Sequence, residues 1–561
     1  MIVLIAFINW LASIYHTRLD LTNENRFTLS TATKKMLTDL DDIIEVKVFL
    51  KGDFPSGFKK LAGSTEEMLQ EFKEVAGNKL QFSFVSPDDV MENTSVKWGD
   101  TLGSMGLFPI NLKSQLKSGE QQQLVYPVAL ARYKDKIIPI KLYNGIPNIG
   151  IGRREINSAE AMMEYQLSDA LYKLSVDEKP MIAYSTGNGE PQVASYITYD
   201  LFENVLRPNY NVFSFNLNTQ PVIPDTFKLL LIVKPTQAFT EPEKLKIDQF
   251  VMRGGKILMF IDKLNAEMDS LRVRNEVVAY DRDLALDDLL FRYGVRINND
   301  LVMDLQSDKL PFDVNGNGQY EFLSWNYFPV FASASNHAIN KNLGFISGKF
   351  VNSIDTVEAE GIKKTILLFS SPNARVISAP ALISGKENVN APEDEKFKIA
   401  HIPVAVLLEG KFSSLFKNRL SGSMKDSLES YGEEFLTQNI RTNKMIIVSD
   451  GDVVLNSLVK NEPMPMGTNP FTFGSQYEFT FANKDFLQNC FDYLVDQSGL
   501  SEAKSKDYTL RLLDTKKTAQ QKTMWQVINI VAPIMAVILF GFLFQFVRRK
   551  KYTSVITQKN S

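Results

Sequence analysis

Cysteine and histidine are scarce in this chain, whose 561 residues contain one cysteine, Cys490, and three histidines. A single cysteine excludes an intramolecular disulfide and a cysteine-based structural zinc site, and three scattered histidines argue against an imidazole-rich site. Cys490 shares the apolar stripe of a predicted helix with Leu487, Phe491 and Leu494, which is typical of a buried structural thiol rather than of a nucleophile. We therefore expect no catalytic residue, metal or cofactor.

A surplus of basic charge is also lacking. The chain has 62 Lys+Arg against 65 Asp+Glu, a formal net charge of -3, so it has no overall surplus of positive charge to neutralise a phosphate backbone. We expect no nucleic-acid partner. Apolar residues make up 44% and aromatic residues 11%, which excludes a largely disordered protein. At about 100 to 200 residues per domain, the length leaves room for about three folded units.

The motifs of nucleotide hydrolysis and of common hydrolases are missing. No GxxxxGK[ST] occurs, so the chain is not itself an ATPase, and no GxGxxG opens a helix after a strand. GxSxG and HExxH are absent as well. Residues 313–318 match the opening of a calcium loop, but Ser324 stands where its bidentate glutamate is needed, so we interpret the segment as a turn.

Long apolar runs are present at both ends. Residues 523–547 carry no charge and would span about 37 Å as a helix, enough to cross a hydrocarbon core of about 30 Å, so they predict a transmembrane helix. The N-terminal run lacks a formal charge before Arg18 and could be a signal peptide or a span. Without a basic n-region or a clear cleavage site, an uncleaved transmembrane helix over residues 1–20 is favoured, one that could begin upstream of Met1.

The basic residues beside the second run predict its orientation. Four of them, residues 548–551, follow the apolar segment directly and begin a basic tail over residues 548–561. The positive-inside rule then makes this tail cytoplasmic, although Lys516, Lys517 and Lys522 flank the other side. We expect a protein of the cytoplasmic (inner) membrane with two spans, cytoplasmic termini and a large periplasmic domain.

The interior predicts an α/β protein in two parts. Residues 26–145 alternate strand, helix and strand before a hairpin, as a small β-α-β domain would. In residues 155–500, strands such as FKLLLIV and KILMFID alternate with helices, which predicts a larger, doubly wound, Rossmann-like domain with a mostly parallel sheet. A capping box, TEPE at 240–243, opens one helix. Residues 501–522 are a charged juxtamembrane linker.

Polar residues follow several predicted strands of the larger domain. In open α/β sheets, ligands bind outside the carboxyl ends of the strands, so these residues form a candidate ligand cleft. Its members are Gly187, Asn188, Gly189, Glu190, Asp262, Asp450 and Asp452. The alternative, that glycine and asparagine here only make strand-to-helix turns, stays open.

An ordered set of segments resembles a known family. RFTLS, the GNGE loop at 187–190, QFVMRGGKILMFID, MIIVSDGD and NKDFLQNCFDYLV occur in the order found in GldG, the auxiliary, substrate-binding-like component of the gliding-motility ABC transporter. The resemblance implies a role beside a multispanning permease and a separate cytoplasmic ATPase, with envelope or motility proteins as further partners. It also implies an amidotransferase-like domain shared with a ciliary transport protein. Asn188 stands where relatives often have histidine, which argues against acid/base work by this loop.

Three functions follow as hypotheses. The first is a non-enzymatic, membrane-anchored subunit of an ABC transport complex, with a large extracytoplasmic region that binds a ligand or partner. The second is an anchored hydrolase of envelope polymers acting through Glu190, Asp262 and Asp450, which needs paired carboxylates about 5 to 9.5 Å apart. The third is a structural scaffold without a polar cleft.

Overall fold

The computed structural model describes residues 28–557 except 93, 117–118, 144–152, 177, 269, 272–275, 336, 342, 386–393, 496–498 and 501–514. The predicted span over residues 1–20 lies outside the described residues. The chain divides into two compact units, residues 1–507 and 508–561.

The N-terminal part of the first unit contains a four-stranded sheet with two long helices. In chain order its elements are α1 (Thr31–Thr38), β1 (Ile44–Val48), α2 (Ser56–Ala76), β2 (Leu80–Phe84), α3 (Trp98–Ser104), β3 (Ile110–Leu116), β4 (Gly119–Val125), β5 (Val128–Tyr133), β6 (Lys136–Lys141) and α4 (Arg153–Ser175). The strand order is β2-β1-β5-β6, with β1 and β2 parallel. The predicted β-α-β pattern and hairpin are therefore confirmed.

A large mixed sheet forms the centre of the first unit. Its strands are β7 (Met181–Thr186), β8 (Asn211–Asn216), β9 (Phe227–Val233), β10 (Lys256–Phe260), β15 (Ser307–Phe312), β16 (Glu321–Ser333), β17 (Ile346–Ser347), β19 (Ile362–Phe369), β22 (Pro403–Gly410) and β23 (Asn443–Val448). They lie in the order β15-β16-β19-β22-β23-β10-β9-β7-β8, with β17 paired to β16.

Only part of this sheet is parallel. The strands β23, β10, β9, β7 and β8 pair in parallel, whereas β22 pairs antiparallel with β23, and every pair beyond it is antiparallel. The prediction of a mostly parallel sheet was wrong for this second half. Its strands follow one another without intervening crossover helices, and only a crossover connection returns the chain in the parallel sense.

Shorter elements surround the large sheet. They are β11 (Leu264–Asn265), β12 (Glu276–Asp281), β13 (Val295–Ile297), β14 (Asp300–Asp304), β18 (Ile354–Thr356), β20 (Ala374–Ser378), β21 (Ala381–Ser384), β24 (Leu458–Val459) and β25 (Glu462–Pro463). The helices are α5 (Glu241–Met252), α6 (Asp287–Tyr293), α7 (Gly422–Ser430) and α8 (Asn483–Val495).

Local sequence signals explain the best-predicted elements. The strand β9 has the predicted bounds, and all its residues except Lys228 are buried, as a strand covered on both faces requires. The capping box is present: the Glu243 carboxylate accepts from the Thr240 N–H at 2.7 Å, and α5 begins there. After β7, the chain forms a 3₁₀ turn, Tyr196–Thr198, and a π-helical stretch, Asp200–Leu206.

The second unit contains the helix α9 (Thr515–Thr557). Within it, Thr523–Arg549 is the one segment of the described residues that is long and apolar enough to cross a membrane, with a mean hydropathy of 2.6. Helix α9 begins inside the predicted linker 501–522 and continues into the predicted tail 548–561. Length and composition therefore support the C-terminal span, and the flanking basic residues extend the same helix.

Candidate functional site

The candidate residues lie at one edge of the parallel half of the sheet. Because β23, β10, β9 and β7 run parallel, their carboxyl ends are neighbours. Asp450 and Asp452 follow β23, Asp262 follows β10, Lys234 follows β9, and the loop at 187–190 follows β7.

Three of the predicted residues meet in an aspartate cluster, Asp262, Asp450 and Asp452, in which one carboxylate oxygen of each lies within 4.8 Å of the others. The ammonium of Lys234 lies 3.2 Å from Asp262 Oδ2 and 2.8 Å from Asp452 Oδ2. It also contacts Glu267 Oε2 at 3.2 Å. Buried charges persist in proteins when they are paired and hydrogen-bonded, and Lys234 provides that pairing here.

Backbone N–H groups occupy the second oxygen of Asp262 and both oxygens of Asp450. The Gly451 N–H donates to Asp262 Oδ1 at 2.5 Å. The Lys349 and Asp452 N–H groups donate to the two oxygens of Asp450, each at 2.7 Å. A Cβ at Gly451 would lie 2.6 Å from the Lys234 Cβ, so only glycine permits the two loops to approach this closely.

The pKa values of Asp450 and Asp452 are shifted in opposite directions. Burial, and then the charges of Asp262 and Asp452, raise the pKa of Asp450 well above its ordinary value. Burial alone would also raise the pKa of Asp452, but Lys234 and Lys349 hold it below the ordinary value. For Lys234, burial opposes the charge, yet its carboxylate neighbours raise the pKa well above normal. Lys234 and Asp452 are therefore the ionised pair, and Asp450 is the carboxyl that most readily takes a proton.

Three carboxylates at this distance are a donor set that hard divalent cations accept. However, Lys234 already contacts two of the three, and both oxygens of Asp450 accept from the backbone. The arrangement is that of an internal ion-pair network, in which Lys234 supplies the positive charge.

The predicted loop at 187–190 has its own hydrogen bonds. Glu190 accepts from Ser185 Oγ at 2.7 Å and from the Asn188 N–H at 2.8 Å. The N–H groups of Thr236 and Gln237, just beyond Lys234, both donate to the Asn188 carbonyl. The two loops that follow β7 and β9 are therefore joined at the position where open sheets commonly admit a ligand.

Little space adjoins the aspartate cluster. A cavity lined by Asp308, Lys349 and Asp452 measures about 20 Å³, enough for about one water molecule. A paired-carboxylate hydrolase needs separated carboxyl groups on either side of a substrate. Asp262 and Asp450 instead belong to one cluster, in which a carboxylate oxygen of each lies within 4.8 Å of the other. Glu190 binds within its own loop, so this geometry does not provide such a pair.

Sequence reasoning missed the cations of the site and one of its carboxylates. Lys234 and Lys349 were not among the candidates, nor were Glu267 and Arg282, which form an ion pair at 3.0 Å. The available signal was a lysine directly after the apolar strand FKLLLIV, where burial would require a carboxylate partner. Cys490 is buried, as its helical stripe predicts.

Comparisons with known proteins give distant full-length similarity. An "Uncharacterized protein" of Borreliella burgdorferi is 20% identical, with 96% of this chain and 95% of that protein covered. A solved structure titled "mmIFT52 N-terminal domain" is 14% identical with a TM-score of 0.31, covering 56% of this chain and 97% of that one. An exo-beta-1,4-mannosidase, Op5Man5 from Opitutaceae bacterium strain TAV5, is 8% identical with a TM-score of 0.18, covering 76% and 51%. Such TM-scores carry no argument about this chain, and the amidotransferase-like assignment stays a prediction.

Two family models match the first unit. Residues 23–132 match a domain of unknown function, DUF7088. Residues 179–490, which contain the large sheet and the aspartate cluster, match the family described as "ABC-type uncharacterized transport system". Because this match covers more than half of the 561 residues, the chain belongs to the ABC-type uncharacterized transport system family.

Proposed function

We propose that this protein is a non-enzymatic, membrane-anchored auxiliary subunit of an ABC transporter complex of the gliding-motility type. The observation that carries the proposal is the family match over residues 179–490 together with an apolar helix at the C-terminus. In this role the span packs beside a multispanning permease, and a separate cytoplasmic subunit hydrolyses ATP. The large region lies outside the cytoplasm and binds a ligand or an envelope partner.

The site supports a binding role rather than catalysis. Catalysis by carboxylates requires groups that reach a substrate and exchange protons with it. Here the aspartates bind Lys234 or backbone N–H groups, and the loop at 187–190 is joined to its neighbour. These contacts make the edge a rigid surface that a partner or ligand can recognise.

Affinity purification from native membranes tests the association. We expect the tagged full-length chain to recover one permease and one ATPase. The matched control replaces residues 523–549 with an unrelated apolar helix, which keeps the anchor and removes the specific contacts. Recovery of neither subunit, or equal recovery with the control, would contradict the proposal.

Labelling of single-cysteine variants tests the orientation. Cys490 is buried, so the unmodified chain serves as the background that an impermeant maleimide leaves unlabelled. We expect Glu360→Cys, at an exposed position, to be labelled in intact spheroplasts without lysis. Labelling only after lysis would place this region in the cytoplasm and refute that part of the proposal.

A further inference from the structure

A cleft of about 520 Å³ opens to solvent on the first unit, with α6 on one side and residues 414–419 on the other. Its volume falls within the roughly 300 to 1,000 Å³ typical of ligand sites. None of its lining residues belongs to the aspartate cluster.

One buried carboxylate fixes both walls of this cleft. Asp248, on α5, is fully buried. Its Oδ1 accepts from Tyr293 Oη at 2.9 Å, at the end of α6, and from the Leu415 N–H at 2.8 Å. Its Oδ2 accepts from Ser414 Oγ at 2.6 Å. The walls are therefore held in place before any ligand arrives, as a binding site requires.

The carboxylates that line the cleft already form ion pairs with cations of the protein. Asp287 lies 2.7 Å from the Lys263 ammonium, and Asp288 lies 3.0 Å from that of Lys244. Arg419 also binds Asp288, at 2.6 Å. Burial would raise the pKa of Asp288, but its bonds to Lys244 and Arg419 hold that pKa below the ordinary value.

Two cations of the cleft form no ion pair within the described residues. Arg292 on α6 and Lys417 on the opposite wall are exposed, and no carboxylate within the described part of the chain lies at ion-pair distance from either. The Arg292 Nε donates to the Ser413 carbonyl at 3.3 Å, which leaves its two terminal nitrogens free to bind. Beside it, Phe291 is 54% exposed. The cleft thus presents one cation from each wall and an aromatic surface.

We propose that this cleft binds an organic anion, a phosphate or a carboxylate, that carries an apolar group. Arg292 and Lys417 hold the anion from opposite walls, since guanidinium and ammonium groups form charge-assisted hydrogen bonds with both kinds of oxyanion. Phe291 contacts the apolar group. The proposal goes beyond the role in a transporter complex and does not depend on it, because it concerns a ligand of the isolated chain.

Fluorine NMR of the full-length chain in lipid nanodiscs tests this site. The probes are 4-fluorophenyl phosphate, 4-fluorobenzoate and the neutral 4-fluorobenzyl alcohol, with the broadening caused by empty nanodiscs subtracted. We expect at least one anion to broaden and the alcohol to remain sharp. Lys417→Glu should weaken binding about fivefold or more, because an attractive exposed charge becomes repulsive. Lys398→Glu, an exposed charge reversal outside the cleft, should leave binding unchanged.

A second variant tests the aromatic contact. Phe291→Ala should weaken binding of the aromatic anion but leave inorganic phosphate able to compete for the site as before. Broadening of neither anion, equal broadening of the alcohol, or equal binding by the Lys417→Glu and Lys398→Glu chains would overturn the proposal. Whether the affinity purification recovers a permease does not affect any of these fluorine NMR results. Either proposal can therefore fail without the other.

Discussion

Lys234 is the residue on which the sheet edge depends, because it is the cation that contacts both Asp262 and Asp452. Replacement by methionine would leave those buried carboxylates without a cation at ion-pair distance. We expect Lys234→Met to lower the free energy of unfolding by about 3 kcal/mol at pH 7. Chemical denaturation of the full-length chain in detergent, followed by tryptophan fluorescence, measures this loss.

The same variant has a defined pH dependence. The raised pKa of Lys234 keeps its ammonium group charged throughout the acidic and neutral range. In the variant, the aspartates take up protons as the pH falls, which removes their uncompensated charge. The loss in free energy of unfolding relative to the wild type should therefore be smaller at pH 5 than at pH 7. Lys228→Met, at the one exposed residue of the same strand, should change stability by less than about 0.5 kcal/mol. An equal loss at both positions would contradict the ion-pair account.

The two aspartates after β23 should respond differently to neutralisation. Asp452 has a lowered pKa, so its contribution is present above the unfolded value of about 3.9 and is lost as pH falls through the folded value. Asp450 has a raised pKa, so its ionised form contributes nothing favourable at pH 7. We expect Asp452→Asn to cost about 2 kcal/mol or more and Asp450→Asn about 1 kcal/mol or less at pH 7. Unfolding curves from pH 7 to pH 4 measure both, and the reverse order would refute the assignment.

At the scale of elements, the join between the loops after β7 and β9 requires Gly189. Its φ is 77°, and an added Cβ would lie 2.0 Å from Thr236 Oγ1. Gly254 also has a positive φ, 101°, but a Cβ there meets nothing within 4 Å. Gly254→Ala therefore measures the cost of the positive φ alone, which is about 1 kcal/mol. We expect Gly189→Ala to cost at least about 1 kcal/mol more, because it adds a clash, and thermal or denaturant unfolding of both variants measures the difference. Equal costs would mean that the loops are not held together as described.

Elements with strong local signals were the ones that the sequence predicted well. The strand β9 and the cap of α5 depend on residues next to one another in the chain, so hydrophobic runs and capping pairs identify them. The antiparallel half of the sheet depends on pairings between distant segments, and the 13-residue strand β16 alternates too irregularly to reveal its partners. The candidate site shows the same division. Asp262, Asp450 and Asp452 were predicted from strand ends, whereas Lys234 binds Asp452 from 218 residues away, a separation that no local pattern encodes.

At the scale of the whole molecule, the chain combines an α/β unit with an apolar helix long enough to cross a bilayer. Thr523–Arg549 is apolar along its length, and basic residues close it at one end. Within a bilayer, helices associate through packing and through polar side chains that find partners. Under the proposed role, polar side chains of this span such as Asn529 would find their partners on a permease helix. The membrane segment is thus where contact with a transporter should be sought first.

Photo-crosslinking in intact cells from single positions along residues 523–549 tests the central claim most directly. A photoreactive residue at successive positions should form crosslinks with one multispanning permease, and the crosslinking positions should recur every three to four residues, because one face of a helix packs on its partner. Crosslinks to that permease with helical periodicity are the predicted result. Crosslinks to lipid alone, or to unrelated membrane proteins without periodicity, would contradict the assignment of this chain as a transporter subunit.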